Sequence, residues 1–327
     1  MSVGIRDVAR AAGVSTATVS RALGKGPVSE ALREQVQAAV RATGYRPNLS
    51  ARRLRSQATQ TIGLIVADIR NPFFTAVSRS VEDAAFQAGM RVILCNTDED
   101  PEREAMYLRL MQEERVTGVI FAPTRATAQG LKAGDLDFPA VFIDRAGPPG
   151  SYDAVVLDNA AAAAALVDHL AEQGFRRIGG LFGSTSSTAQ ERRAGYEAAM
   201  ARHGLAPAAR ACLPNAAAAE AEAARWLSGE ARPEALILSN GLMLMGAVRA
   251  ARGLSLPVPG GLALAGFDNE PWTELVEPGL TVIEQPVAEI GAEAMSLLFE
   301  RIRTPDQPVR KVVLSGRPVL RSSSRRG

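Results

Sequence analysis

From Thr61 onward, short apolar runs alternate with helical stretches, and this alternation admits few folds. TIGLIVAD, RVILCNT, GVIFAP, AVFIDR and DAVVLD are too continuously apolar for strands with one wet face. Such runs suit parallel strands covered on both sides, with helices as crossovers. The pattern restarts with a helix near 159–173 and continues through IGGLFG, ALILSN and LALAGF. TVIEQP, a helix over 288–303, KVVLSG and PVLR close the chain. The expected fold class is α/β, with two doubly wound parallel lobes in series.

In open parallel sheets, ligands bind beyond the carboxyl ends of the strands. Here those ends carry Asp68, Asn96 to Asp98, Asp144-Arg145, Ser239-Asn240 and Asp268-Asn269. A cleft lined by acids, amides and a guanidinium suits a polyhydroxylated ligand, because each carboxylate or amide can grip one or two hydroxyls.

The first sixty residues have a different texture. IRDVARAAGVSTATVSRAL, residues 5–23, reads as two short helices joined by a tight turn at Gly13. Ser15 is placed to cap the second helix, Thr16 to Leu23. Val14, Val19 and Leu23 pack back on Ile5, Val8 and Ala9. That leaves Thr16, Ala17, Ser20 and Arg21 on the outer face, a pattern that suits entry into the DNA major groove. An ordinary helical hairpin would share the outline, so charge has to decide. Residues 1–60 hold ten basic and three acidic residues, whereas the rest holds 27 basic and 32 acidic. A basic head on a mildly acidic body is the electrostatic footprint of a nucleic-acid binder.

Ser29 is expected to cap a third helix that runs from Glu30 to about Thr43 and ends at Gly44. After Tyr45-Arg46-Pro47-Asn48, the segment LSARRLRS can form one more helix, too short to be stable alone. Leu54 stands there amid Arg52, Arg53 and Arg55. An apolar side chain among arginines can wedge into a minor-groove step; the alternative is a solvated linker whose leucine touches the body.

Composition narrows the remaining classes. Hydrophobic residues make up 46% and charged residues 22%, as in a globular protein with a substantial core. Arg6, Asp7 and Arg10 interrupt any signal peptide, and no apolar run approaches the roughly 20 residues needed to span a bilayer. Cys95 and Cys212 form no framework and no metal spacing, so a cytoplasmic location is expected. GxxxxGK, HExxH and GxSxG are absent, and the two histidines, His169 and His203, lie far apart in sequence. Neither enzymatic activity nor a cofactor or metal is expected. A sugar-binding protein or a carbohydrate-acting enzyme with the same two-lobed core is the competing class.

These segments together resemble the lactose-repressor/galactose-repressor (LacI/GalR) family of bacterial transcription regulators. The resemblance rests on DVARAAGVSTATVSRAL, GYRPNLSARRLR, TIGLIVADIRNPFF, ERRAGYEAAM, GFDN and PGLTVIEQP, in that order over nearly the whole length. It implies a DNA-binding domain at 1–46 and a hinge helix with linker at 47–60. It implies one core subdomain from 61–158 with 286–313, and a second from 159–285 with 314–327. By the same resemblance, Thr16, Ala17 and Arg21 read base edges. Leu54 wedges into the central step of a palindromic operator, and Arg55 can reach the same groove. Effector contacts carry over onto Asn71, Phe73, Asp144, Arg192, Asn240 and Asp268, with Asp98 as a further candidate. For Arg192 the competing reading is a solvated helix arginine, and for Asp268 a strand-end cap.

Two departures stand out. The family usually has an aspartate where this chain has Gly241, and no aromatic platform falls near Pro214–Ala216; Trp272 either replaces it or packs. DNEPWTELVEPGLTVIEQP looks most like regulators of sugar-acid use, such as those responding to ketogluconate or gluconate. The expectation is a homodimeric regulator, most simply a repressor, switched on its double-stranded operator by a small sugar or sugar acid, with no membrane partner. The chain ends at SSSRRG without apolar heptads, so no tetramerising tail helix is expected.

Overall fold

The computed structural model describes residues 3–24, 26–45 and 59–326. The contacts divide it into one unit ending at Thr59 and a second beginning at Gln60. Leu54, Arg55 and the hinge helix expected around them lie outside the described residues.

The first unit contains α1 (Ile5–Ala11), α2 (Thr16–Leu23) and α3 (Glu30–Thr43). The Ser15 hydroxyl caps α2 by accepting the Thr18 N–H at 3.1 Å. Gly13 and Gly44 take left-handed backbone at φ 60° and 64°, which lets α1 and α3 end in tight turns. Ser29 stands at the start of α3, but its side chain makes no cap hydrogen bond, contrary to the role expected for it. Val8, Val19 and Val36 are fully buried, and Ala9, Ala12, Ala22 and Ala39 fill the space between them. So small a core is marginal alone. Side chains of α3 reinforce it by satisfying carbonyls left open at the ends of the other helices. Gln35 donates to the Ala12 carbonyl at 2.9 Å, and Arg33 donates to those of Ala22 and Gly24 at 3.0 and 3.3 Å.

The second unit has two six-stranded sheets. The strands are β1 (Thr61–Val66), β2 (Arg91–Asn96), β3 (Gly118–Phe121), β4 (Ala140–Ile143), β5 (Asp153–Leu157), β6 (Ile178–Gly183), β7 (Ala208–Cys212), β8 (Ala235–Leu238), β9 (Ala263–Phe267), β10 (Thr281–Glu284), β11 (Lys311–Leu314) and β12 (Arg317–Val319). The first sheet runs β11-β5-β4-β3-β1-β2 and the second β12-β10-β9-β8-β6-β7. Every pairing is parallel except β12 against β10. The two orders correspond place for place. The chain passes between the sheets three times: after β5, after β10, and between β11 and β12.

Helices cover both faces. In chain order they are α4 (Pro72–Gln87), α5 (Pro101–Glu113), α6 (Arg125–Gly130), α7 (Asn159–Glu172), α8 (Ser187–Arg202), α9 (Ala216–Leu227), α10 (Gly241–Gly253), α11 (Pro271–Leu275) and α12 (Val287–Arg303). Although it follows β10, α12 returns to the first lobe, where Ile290, Ala294 and Leu297 join the core under α4. On the second sheet, α7 and α8 cover one face and α9 and α10 the other. Each pair meets backbone to backbone at a glycine. A Cβ on Gly195 would lie 2.2 Å from the Ala160 carbonyl oxygen, and one on Gly246 would lie 2.3 Å from that of Ala216.

Candidate ligand cleft and DNA-reading helix

The outer face of α2 matches its sequence. Val19 and Ala22 are buried, while Thr16, Ala17 and Arg21 are exposed and Ser20 is partly so. Gly26 lets the following loop rest on the stem of Arg21, since a Cβ there would lie 3.1 Å from the arginine Cβ and Cγ. Arg21 therefore leaves the helix with its stem supported and its guanidinium free for a base or a phosphate.

In the second unit, the carboxyl ends of both sheets border one cleft with about 590 Å³ of atom-free space, counted out to its mouth. Asn71, Phe73, Asp144, Arg192, Asn240 and Asp268 all line it. Asn71 and Asn240 each cap a helix, accepting the N–H of Phe73 at 3.1 Å and of Met243 at 2.7 Å. Among the described residues their amide NH2 groups make no hydrogen bond, so each has donors to offer. Phe73 and Phe74 are buried edge to face, with ring centroids 5.0 Å apart.

Asp144 and Asp268 follow β4 and β9, the corresponding strands of the two sheets. Both take left-handed backbone, at φ 65° and 74°. Aspartate is among the non-glycine residues that enter that region most readily, and here both do so at a strand end on the cleft. The Asp268 carboxylate accepts the Gly241 N–H at 2.8 Å and the Gln285 amide at 2.6 Å. The bare Gly241 backbone eases this approach, because a Cβ there would lie 3.2 Å from that of Asp268. The glycine that departs from the family pattern is thus the donor that holds Asp268.

Arg192 is buried, and its guanidinium lies over the Phe267 ring at 3.9 Å. Its Nε donates to Asn159 at 2.8 Å and its Nη1 to the Ser239 carbonyl at 2.5 Å. Asn159 is held in turn by Glu191 at 2.8 Å. Burial lowers the Arg192 pKa, against the pull of Asp268 and Asp144. A guanidinium remains charged regardless, so this wall presents a cation whose bonded partners are neutral.

The first lobe supplies a second buried arginine, Arg145. It forks onto both oxygens of Glu99, donates to the Pro123 carbonyl at 2.8 Å, and sits 3.1 Å from Asp144. Burial opposes its charge, but Glu99 and Asp144 more than offset this and raise its pKa. Beneath it, buried Glu104 accepts from both the backbone N–H and the hydroxyl of Thr124, fixing the loop after β3. Burial pushes the Asp144 carboxyl above the usual aspartate range despite Arg145 and Arg192 nearby. The strand-end pattern had marked Arg145 and Ser239. Nothing in it pointed to Glu99, Glu104, Asn159 or Gln285, which act through partners far away in sequence.

One expectation about the cleft needs correction. Asp98 is exposed and does not line the cleft. It binds Arg103 at 2.6 Å, Asn96 at 2.9 Å and Arg70 at 3.3 Å, and the Asn96 hydrogen bond, with both arginines, holds its pKa low. Neighbouring arginines and an amide therefore satisfy it as a loop tie. Of the two readings open for Trp272, packing is the one observed: it lies partly buried against the core of the second lobe and is absent from the lining. Pro214 occupies that side of the cleft instead.

Among the described residues, no helix is long and apolar enough to cross a membrane, and no group of acidic, histidine or cysteine side chains could hold a metal ion. The fold and its sites define a helix-turn-helix DNA-binding unit joined in one chain to a two-lobed ligand-binding unit. Residues 4–48 match the model for bacterial regulatory proteins of the lacI family, and residues 167–324 match a periplasmic binding protein-like domain. The chain is 34% identical to the HTH-type transcriptional regulator PtxS of Pseudomonas plecoglossicida, over 98% of this chain and 96% of that one. It is also 34% identical to the HTH-type transcriptional repressor PurR of Photobacterium profundum, over 98% of each. The lac repressor dimer bound to operator and the anti-inducer ONPF superposes with a TM-score of 0.88, at 24% identity and full coverage of both chains; at that identity the match speaks to fold alone. The chain belongs to the LacI family of bacterial transcription regulators, and it is a regulator rather than an enzyme.

Proposed function

We propose that this chain is a homodimeric repressor on a palindromic operator, and that a small sugar or sugar acid in the cleft alters its grip. The supporting observation is the pair of corresponding, left-handed aspartates facing one cleft with Arg192, Asn71 and Asn240 beside them. Hydroxyls of a sugar would donate to Asp144 and Asp268 and accept from the two amides. A sugar acid would also set its carboxylate against Arg192, in the fork geometry a guanidinium offers. The lobes we assign are 61–158 with 286–314, and 159–285 with 315–327; the break expected after 313 moves one residue because Leu314 pairs with Leu157 in the first sheet.

On DNA, Thr16, Ala17, Ser20 and Arg21 would face the major groove. Leu54 and Arg55 would enter the minor groove at the centre of the site. Two heads on one two-fold axis match a palindrome. Phosphate contacts would make affinity fall steeply with salt. A hundredfold change in operator occupancy requires effector affinity to differ between the two states by about 2.7 kcal/mol. Such a regulator would act in the cytoplasm, where the operator is.

The test combines two measurements on the full chain. The first is a thermal-shift screen of sugars and sugar acids, since a ligand of the folded form raises the melting temperature. The second is selection of preferred duplexes from a random pool, with and without each hit. The reading predicts a palindromic consensus, and at least one hit that changes affinity for it about tenfold or more. No preferred duplex, or preferred duplexes indifferent to every stabilising ligand, would overturn it.

A further inference from the structure

At the amino ends of β6, β8 and β9, opposite the cleft, three loops and the last described residues line an open groove. Strand β6 is six residues long, so the groove and the cleft lie about 20 Å apart across the sheet. Arg177, Arg232, Arg325 and Arg326 line it, with Glu234 as the one acid of the lining. The rest of the chain from Thr61 carries more acids than bases, so this local excess of positive charge runs against the background.

These arginines are not spent on one another's partners. Glu234 accepts the backbone N–H groups of Arg176 and Arg177 at 3.0 and 3.1 Å, which holds its pKa low. Its approaches to the guanidiniums of Arg177 and Arg326 are loose, at 3.7 and 3.8 Å. Among the described residues, the side chains of Arg232 and Arg325 make no hydrogen bond or ion pair, and both are exposed. Like charges held together on converging loops repel unless an anion lies between them. The large apolar side chain of the lining, Phe175, is buried, so the groove lacks the exposed anchors that a protein partner would need. Gly261 lets its loop fold back on Pro257, since a Cβ there would lie 2.8 Å from the proline ring.

We propose that this groove binds a small, multiply charged anion, a phosphate ester or polyphosphate, at a site separate from the effector cleft. Forked guanidiniums pair with phosphate oxygens two at a time; four arginines line this groove, and although Arg326 also donates to the Gly174 carbonyl, the side chains of Arg232 and Arg325 have no partner among the described residues.

The test is a calorimetric titration of inorganic tripolyphosphate into the full chain at constant ionic strength. One saturable site per chain is expected. The double substitution Arg232→Gln with Arg325→Gln should weaken it about tenfold or more, the loss of two charge-assisted contacts. Operator affinity should be unchanged, which checks that the variant is folded. Glu234→Gln keeps an acceptor for the two backbone N–H groups but removes the competing charge, so it should tighten binding about threefold. No saturable site, or a double variant that binds like the wild type because the anion sits on the basic head, would overturn the proposal. Weaker binding by Glu234→Gln would overturn it as well.

Discussion

The two walls of the cleft share a topology and treat their charge in opposite ways. Asp144 and Asp268 end corresponding strands with the same unusual backbone sign. On the first wall, Arg145 is consumed by Glu99 within its own lobe, and Asp144 is left buried with a raised pKa. On the second wall, each oxygen of the carboxylate already holds one donor, Gly241 or Gln285, and keeps capacity for another, while Arg192 stacks on Phe267 and bonds only neutral groups. One wall thus ties up its cation, and the other leaves its cation without a charged partner. Duplicated architecture sets where a functional group stands; the neighbours reached through the loops decide whether it is free to act.

The largest effect should come from Arg145→Ala, which strips Glu99 of both its bonds and leaves Asp144 uncompensated. A loss of about 3–5 kcal/mol in urea unfolding is expected; a loss under about 1 kcal/mol would break the contrast between the walls. Arg192→Lys keeps the charge but gives up the planar stack and the fork. It should cost about 1–2 kcal/mol of stability and abolish the melting-temperature rise caused by an identified effector. A retained rise would move the gripping role to the first wall.

A smaller effect concerns pH. Burial raises the Asp144 pKa in the folded chain, so the folded state keeps this proton to higher pH than the unfolded chain does. Between the two pKa values the native state binds more protons, and this group makes stability fall as pH rises. Asp144→Asn removes that slope. Its melting temperature relative to wild type should therefore climb as pH rises above about 4, the ordinary aspartate value; a flat or falling difference would mean the two arginines keep Asp144 ionised. Asp98→Ala should do least. Its partners Arg70 and Arg103 are at least half exposed, so a stability change below about 1 kcal/mol is expected. Effector affinity should stay within about twofold in isothermal titration, because a surface pair outside the lining contributes little.

Local signals in the sequence were the most legible ones. The turn at Gly13, the cap at Ser15 and the apolar stripe of α2 each depend on residues a few positions apart, and they appear as read. The strands covered on both faces, β1, β3, β4 and β5, were legible for the same reason, but RVILCNT, read the same way, forms the edge strand β2 with Leu94 exposed. β7 was not: AARAC has no β-branched residue and pairs only with β6 at a sheet edge, so tertiary contact rather than propensity makes it a strand. In the cleft, strand-end position marked Asp98 as readily as Asp144 and Asp268. Only the fold reveals that Arg103 and Arg70 stand beside the first. The Arg145–Glu99 pair spans 46 positions, and periodicity carries no information at that range.

The interleaved path of the chain has a consequence during synthesis. β11 completes the edge of the first sheet beside β5, and α12 is the helix that seals α4. Both leave the ribosome only after all of β6 to β10 has been made. At ordinary elongation rates, the early lobe would wait on the order of ten to thirty seconds with part of its apolar face bare. Nascent chains of this protein should therefore engage a holding chaperone late in translation. An mRNA truncated before codon 287 should leave a first lobe that stays sensitive to protease.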